Sequence, residues 1–397
     1  MKKTCFFLLT LAGLVSCSKA DSLYPEDDYL SGSGVYKEAS PSAPGDSGGQ
    51  GQGQAGVVTA GEWNDLENWA FWSTLMDGQT YGDKADVWSF YTANRVAVEV
   101  SDPAGSPVIG ATVELQRMGK TIWTARTDVY GKADLFADMY QKGENADPQS
   151  LVIKIDGVAQ DAAVQVSNFD PAAPHKVNSY VLTGASAPGK VVDIAFVVDA
   201  TGSMGDEIEF LKSDLEDIIG QVSKMQASCT FRTAALFYRD EGDEYITRSS
   251  DFSENLSVTR NFVKAQRAGG GGDYPEAVHT ALEKTLQDLS WNESARSRLV
   301  FMLLDAPAHQ NDAVRTSLHT SVENFARNGI KIIPVAASGV DKDTEFMCRF
   351  FAIATGGTYV FITNDSGVGN DHIEASVGDY KVEKLNDLIV RLIAKYI

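Results

Sequence analysis

Val191-Val-Asp-Ile-Ala-Phe-Val-Val-Asp-Ala-Thr-Gly-Ser-Met204 decides the fold. Val191–Val198 is an apolar run of strand length, and Asp199-Ala-Thr-Gly-Ser-Met204 carries it into a helical pattern with Ile208, Leu211, Leu215, Ile218 and Val222 on one face. Similar apolar runs recur at Phe231–Tyr238, Leu299–Leu304, Lys331–Ala336 and Tyr359–Ile362, with helical patterns between them. Apolar strands that do not alternate with polar residues are buried on both faces, so helices must cover the sheet on both sides. The expected fold class is α/β, a doubly wound and mainly parallel sheet. Ligands of such sheets sit outside the carboxyl ends of the strands, where the strand order reverses.

Several segments bring hard oxygen atoms to that edge. Asp199, Thr201 and Ser203 follow the first strand, Asp273 follows the run Gly269-Gly-Gly-Gly272, and Asp305 ends the strand Leu299–Leu304. Three converging carboxylates repel one another and raise at least one pKa, a cost that a divalent cation removes. Oxygen donors without His or Cys favour Mg²⁺, Mn²⁺ or Ca²⁺ over Zn²⁺ or copper. Taken singly, Asp199, Thr201, Ser203 and Asp273 are also ordinary helix caps.

The segments Asp199-Ala-Thr-Gly-Ser-Met204, Tyr238-Arg239-Asp240, Gly270-Gly-Gly-Asp273-Tyr-Pro-Glu-Ala277 and Leu304-Asp305-Ala-Pro307 together resemble a von Willebrand factor type A domain over residues 190–397. The resemblance implies a metal-ion-dependent adhesion site whose Asp-x-Ser-x-Ser element corresponds to Asp199, Thr201 and Ser203, with Asp305 from the third loop. The family's second loop supplies a Thr, which Asp273 replaces here. Asp240 and Glu276 are candidates for supporting the ligands from behind. The implied activity is protein binding, with an acidic residue of the partner completing the metal's shell, and not catalysis. Two other readings stand beside it. One is a structural envelope protein with a degenerate site. The other is a Mg²⁺-dependent phosphohydrolase using Asp199 as nucleophile, although Ala200 stands where that chemistry wants Lys.

Upstream, the period changes to two. Val96, Val98 and Val100 alternate with Ala97, Glu99 and Ser101, and Ala111, Val113 and Leu115 behave alike. Further short strands are expected at Ile122–Arg126, Ala133–Phe136, Leu151–Ile155, Ala163–Val166 and Val177–Leu182. About seven short strands predict a separate antiparallel β-sandwich over residues 89–186. The run Val100 to Leu115, with Thr127–Ala133, resembles the carboxypeptidase-regulatory, transthyretin-like sandwich, a spacer or adhesion module. Residues 57–88 hold Trp63, Trp69, Trp72 and Trp88 and read as a helical segment packing its aromatics on the next domain. The small, Pro- and Gly-bearing residues Ala187–Lys190 mark the domain boundary.

The first 17 residues combine Lys2-Lys3, the apolar run Cys5–Val15 and Ser16-Cys17. This is a secretory signal, too short to span a bilayer. Leu14-Val15-Ser16-Cys17 resembles a bacterial lipobox, which makes Cys17 the lipidated residue and the protein an outer-membrane lipoprotein of the cell envelope, facing the periplasm or the exterior. The acids that follow Cys17 resemble surface-export signals of Bacteroidetes-type bacteria. Residues 18–56, acidic and then rich in Ser, Pro, Gly and Gln, form a flexible tether averaging about 35 Å end to end.

The formal charge of −20 argues against nucleic acid as a partner and against direct adsorption to anionic lipid. A hydrophobic content of 43% suffices for large cores and excludes global disorder. The five His residues show no ligand spacing. Cys229 and Cys348 fall on elements expected on different halves of the sheet, which favours free thiols. Leu385, Leu388, Ile389 and Leu392 mark a C-terminal amphipathic helix.

Overall fold

The computed structural model describes residues 58–143, 145–169, 175–184, 187, 189–225, 229–363 and 374–397. The signal, Cys17 and the tether lie outside these residues.

The chain enters on β1 (Thr59–Trp63) and continues through α1 (Trp69–Asp77) and α2 (Gln79–Trp88). Seven short strands follow: β2 (Arg95–Ser101), β3 (Thr112–Arg117), β4 (Lys120–Arg126), β5 (Lys132–Phe136), β6 (Leu151–Ile155), β7 (Val158–Ala159) and β8 (Val177–Val181). The second half runs β9 (Val191–Asp199), α3 (Gly205–Met225), β10 (Thr230–Tyr238), β11 (Thr247–Ser253), α4 (Leu256–Ala265), α5 (Val278–Gln287), β12 (Ser297–Leu304) and α6 (Asp312–Arg327). It ends with β13 (Ile330–Ala336), α7 (Lys342–Thr355), β14 (Tyr359–Ile362), β15 (Glu383–Lys384) and α8 (Leu385–Lys395).

Eight strands form one sheet in the order β11-β10-β9-β12-β13-β14-β1-β15. The five strands expected from the apolar runs are parallel to one another. Their alternate residues bury on opposite faces. Ile194, Phe196 and Val198 point into a core closed by α3 and α8, through Ile208, Ile218, Val222, Leu388 and Ile389. Ala195 and Val197 point into a core built with α5, α6 and α7. This two-sided burial is why β9 carries no polar alternation. The order reverses between β9 and β12, so the loops after these strands open side by side at the carboxyl edge.

The edges differ from expectation. β11 pairs antiparallel with β10 at one edge. At the other, β1 pairs antiparallel with β14, Ala60 opposite Ile362 and Trp63 opposite Tyr359, and β15 pairs with β1. Residues 57–88 are therefore not helical throughout, because their first part serves as a strand of the large sheet. The helices that follow pack on α7 as well as on the upstream sheets. Trp72 stacks on Phe346 with ring centroids 6.1 Å apart, while Trp69 meets Phe169 at 5.7 Å.

Strands β2–β8 form a three-stranded sheet, β5-β2-β8, and a four-stranded sheet, β4-β3-β6-β7. Two expectations need correction. β8 runs parallel to β2, and Ala163–Val166 forms no strand, Val158–Ala159 making the seventh instead. Nor are these sheets set apart as a separate domain. Val96, Val113, Leu115 and Ile153 belong to the same continuous apolar cluster as Phe325, Phe350 and Tyr359 of the large sheet's layer. Phe90, just after α2, stacks on Phe350 at 3.4 Å between ring centroids.

Candidate metal centre

Asp199 is the last residue of β9 and is fully buried. Its Oδ1 accepts hydrogen bonds from the Thr201 amide at 2.9 Å and the Thr201 hydroxyl at 2.7 Å. Its Oδ2 is buried and has no hydrogen-bond partner. Thr201 thus spends its hydroxyl on Asp199. It stands at the head of the short turn Gly202–Met204 without capping it through its side chain. Helix α5 likewise starts at Ala277 with no side-chain cap, so Asp273 is not a cap either. Neither Thr201 on that turn nor Asp273 on α5 is a side-chain cap.

The glycine run packs its backbone against the Asp199 loop. The Gly269 amide donates to the Ala200 carbonyl at 3.0 Å, and the Gly202 amide to the Gly270 carbonyl at 3.2 Å. Gly270 and Gly271 both take positive φ, +81° and +75°. A Cβ on Gly270 would run into the Asp243 carboxylate, and one on Gly271 would stand 3.1 Å from Glu276 Oε1 and from Thr201 Cβ. The chain then returns to the sheet edge, where the Glu276 amide donates to the Pro307 carbonyl at 2.9 Å. That bond brings Glu276 beside the loop that begins at Asp305.

Three buried carboxylates therefore each keep an oxygen without a partner: Asp199 Oδ2, Asp305 Oδ1 and Glu276 Oε2. Burial, then the neighbouring Asp305 charge, pushes Asp199 up to about 7. Burial pushes Glu276 up to about 9, with Asp199, Asp240 and Asp305 adding in the same direction. Asp305 is also raised by burial, and the Ser203 hydroxyl beside it acts in the opposite sense. Burial and mutual repulsion both disfavour the charged forms, as expected for acids crowded without a counter-ion.

Of the residues singled out in the sequence, Asp199, Thr201, Ser203 and Asp305 come together. Asp273 does not join them. It is exposed, and it is not among the leading charges acting on Asp199 or Glu276. The turn through Gly270 and Gly271 leaves Asp273 on the outside and delivers Glu276 inward. Asp240 is buried, and its Oδ1 lies 2.8 Å from His309 Nε2. That pairing was missed, because nothing in the spacing of His309 points to Asp240. Tyr274 also escaped notice. Its hydroxyl accepts the Asp341 amide at 3.1 Å and lies 3.2 Å from Thr344 Oγ1, tying the second loop to the start of α7. Cys229 and Cys348 are both free thiols.

A cation suits these residues, since unpartnered buried carboxylate oxygens and two hydroxyls are hard donors. Among the described residues, no three His, Cys, Asp or Glu side chains close into a cage by themselves. Mg²⁺ needs no such cage, because it keeps several waters and takes few carboxylates.

A family model for the von Willebrand factor A domain matches residues 193–343. An ariadne-like RING finger protein of Acanthamoeba polyphaga mimivirus is 35% identical over 137 residues, 34% of this chain and 12% of that protein. Alpha-protein kinase vwkA of Dictyostelium discoideum is 31% identical over 146 residues, 36% of this chain and 22% of that protein. The chain thus matches only a small part of either relative. Among solved structures, conserved hypothetical protein BatB from Bacteroides thetaiotaomicron aligns at a TM-score of 0.35 and 14% identity, covering 52% of this chain and 98% of that one.

Proposed function

We propose that this chain is a protein-binding module whose recognition site is organised by a divalent cation, Mg²⁺ or else Mn²⁺ or Ca²⁺. Asp199 and Asp305 would supply charge to the ion, Ser203 and Thr201 would supply hydroxyl oxygens, and Glu276 would accept the ion's waters. A von Willebrand factor A domain is an interaction or adhesion module, and this supports binding over catalysis. The observation that carries the cation is the trio of unpartnered carboxylate oxygens on Asp199, Asp305 and Glu276. The bound ion would supply a positive centre at the carboxyl edge of the sheet. An acidic side chain of the partner would then meet a positive charge where the bare site offers repelling acids. The lipobox-like Leu14-Val15-Ser16-Cys17 supports anchorage in the outer membrane through Cys17.

The test is the thermal midpoint of the wild type and of Asp199→Ala, each with Mg²⁺ and with EDTA. An ion that the unfolded chain cannot hold stabilises the fold by about 2.7 kcal/mol at a hundredfold excess over Kd. The wild type should gain stability with Mg²⁺, and Asp199→Ala should not. Equal shifts in the two proteins would overturn the reading.

A further inference from the structure

A cavity of about 950 Å³ lies at the opposite end of the large sheet from the candidate metal centre. Its walls come from the amino ends of β12 and β13, the ends of α7 and α8, helix α1 and the sheets of β2–β8. In a chain of charge −20, seven lysines and arginines line it against four acids.

The pairing of these charges leaves a specific remainder. Asp134 holds Arg95 at 2.7 Å, Asp128 holds Lys331 at 3.3 Å, Glu67 holds Lys395 at 3.3 Å and Glu99 holds Lys132 at 3.5 Å. Every acid of the wall is thereby engaged. Arg126 and Arg298 have no carboxylate within ion-pair distance among the described residues. Arg298, 6% exposed, donates only to the carbonyls of Asn292 and Glu293. Its cross-strand neighbour Asp193 is engaged by Arg232 at 3.4 Å and by the Asn292 amide at 2.7 Å. Arg296, by contrast, donates to an oxygen of the final residue, Ile397, at 2.7 Å and is thereby engaged. Arg126 Nε is buried with no partner at all, although its stem is packed against Gly329, where a Cβ would stand 3.0 Å from Arg126 Cβ. Arg126 and Arg298 are near enough to repel: Arg298 is pushed down to about 10 by burial and then by the Arg126 charge.

A guanidinium does not give up its proton at physiological pH, so this repulsion is relieved only by an anion. Planar donor forks match the oxygens of phosphate. A monocarboxylate would offset one charge of two, a dianion both. The volume is that of a small-molecule site, and Leu66, Phe71 and Tyr130 give the wall an apolar side.

We infer that this cavity binds a small phosphate monoester, its dianionic head held by Arg126 and Arg298 and its organic part lying against Leu66, Phe71 and Tyr130.

The experiment uses the full chain and phenyl phosphate, read as thermal midpoint and by calorimetric titration, with NaCl of equal ionic strength as control. Arg126→Met keeps the stem that packs on Gly329 and removes the charge. Without ligand it should be at least as stable as the wild type, because no bond of Arg126 is lost. The wild type should show a saturable rise in midpoint beyond the NaCl control, and Arg126→Met should bind at least tenfold more weakly. No rise beyond NaCl, or an equal rise in both proteins, would overturn the proposal. Cosedimentation with vesicles containing phosphatidic acid separates two sources of the same group. Pelleting lost in Arg126→Met makes a lipid headgroup the ligand, and phenyl phosphate binding without pelleting makes it a free ester.

Discussion

Arg349 of α7 and Asp65, which follows β1, lie 284 positions apart in sequence and face each other through a two-pronged ion pair, Nε to Oδ2 at 2.9 Å and Nη2 to Oδ1 at 2.5 Å. Both side chains are excluded from solvent. Burial alone would lower the Arg349 pKa, but the Asp65 charge and its hydrogen bonds outweigh burial and raise it. Arg349 also donates to the Tyr81 hydroxyl at 3.2 Å and stands 3.6 Å from Glu345, itself fully buried and held by Lys342 at 2.7 Å. The segment before the upstream sheets is thus bolted to α7 by charge as well as by apolar contact.

Removing one member of a buried pair strands the other. Asp65→Ala should cost about 3–5 kcal/mol. Asp65→Leu combined with Arg349→Met should cost less than either single change, since no charge is then left unpaired. Urea unfolding of the four proteins checks the order.

A fragment beginning at Gly189 should not fold cooperatively, despite containing every strand expected from the apolar runs. It lacks β1, which covers the edge of β14, and it lacks Asp65 and Phe90, the partners of Arg349 and Phe350. A fragment beginning at residue 58 should fold. Near-UV circular dichroism and urea transitions distinguish the two.

Stability without metal should depend on pH with a definite sign. The folded-state values of Asp199, about 7, and Glu276, about 9, exceed the ordinary values of 3.8 and 4.5. Between those limits the native state holds protons that the unfolded chain has released. Stability in EDTA should therefore fall as pH rises from about 4 to about 9, and Mg²⁺ should flatten the decline. Thermal midpoints across this range with EDTA and with Mg²⁺ give the comparison.

Asp273→Ala should keep the full Mg²⁺-induced rise in thermal midpoint, because that side chain is exposed. Asp305→Ala should lose it, because Asp305 Oδ1 is buried and unpartnered. Loss of the rise in Asp273→Ala would return this residue to the ligand set.

The parallel sheet was legible in the sequence because burial on both faces removes the polar alternation, and Val191–Val198 carries that signature locally. Asp199, Thr201, Ser203 and Asp305 were legible too, since each sits within a few residues of an apolar strand's end, and strand ends of a doubly wound sheet meet where the order reverses. The two-residue period of β2 and β3 was equally local. That Asp273 stays outside while Glu276 turns inward was not. It depends on two glycines at positive φ and on the bond from the Glu276 amide to Pro307, which exists only when separate loops are stacked at one edge. The place of Thr59–Trp63 in the large sheet was hidden for the same reason: a five-residue strand carries no mark of the partner, nearly 300 residues away, that completes it. Asp65 with Arg349, Asp240 with His309, and the two arginines left over in the cavity belong to the same class. Local patterning, set by each residue's exposure and the period of its element, is written in the sequence, whereas the pairing of charges between distant segments is decided by which surfaces the folded chain brings together.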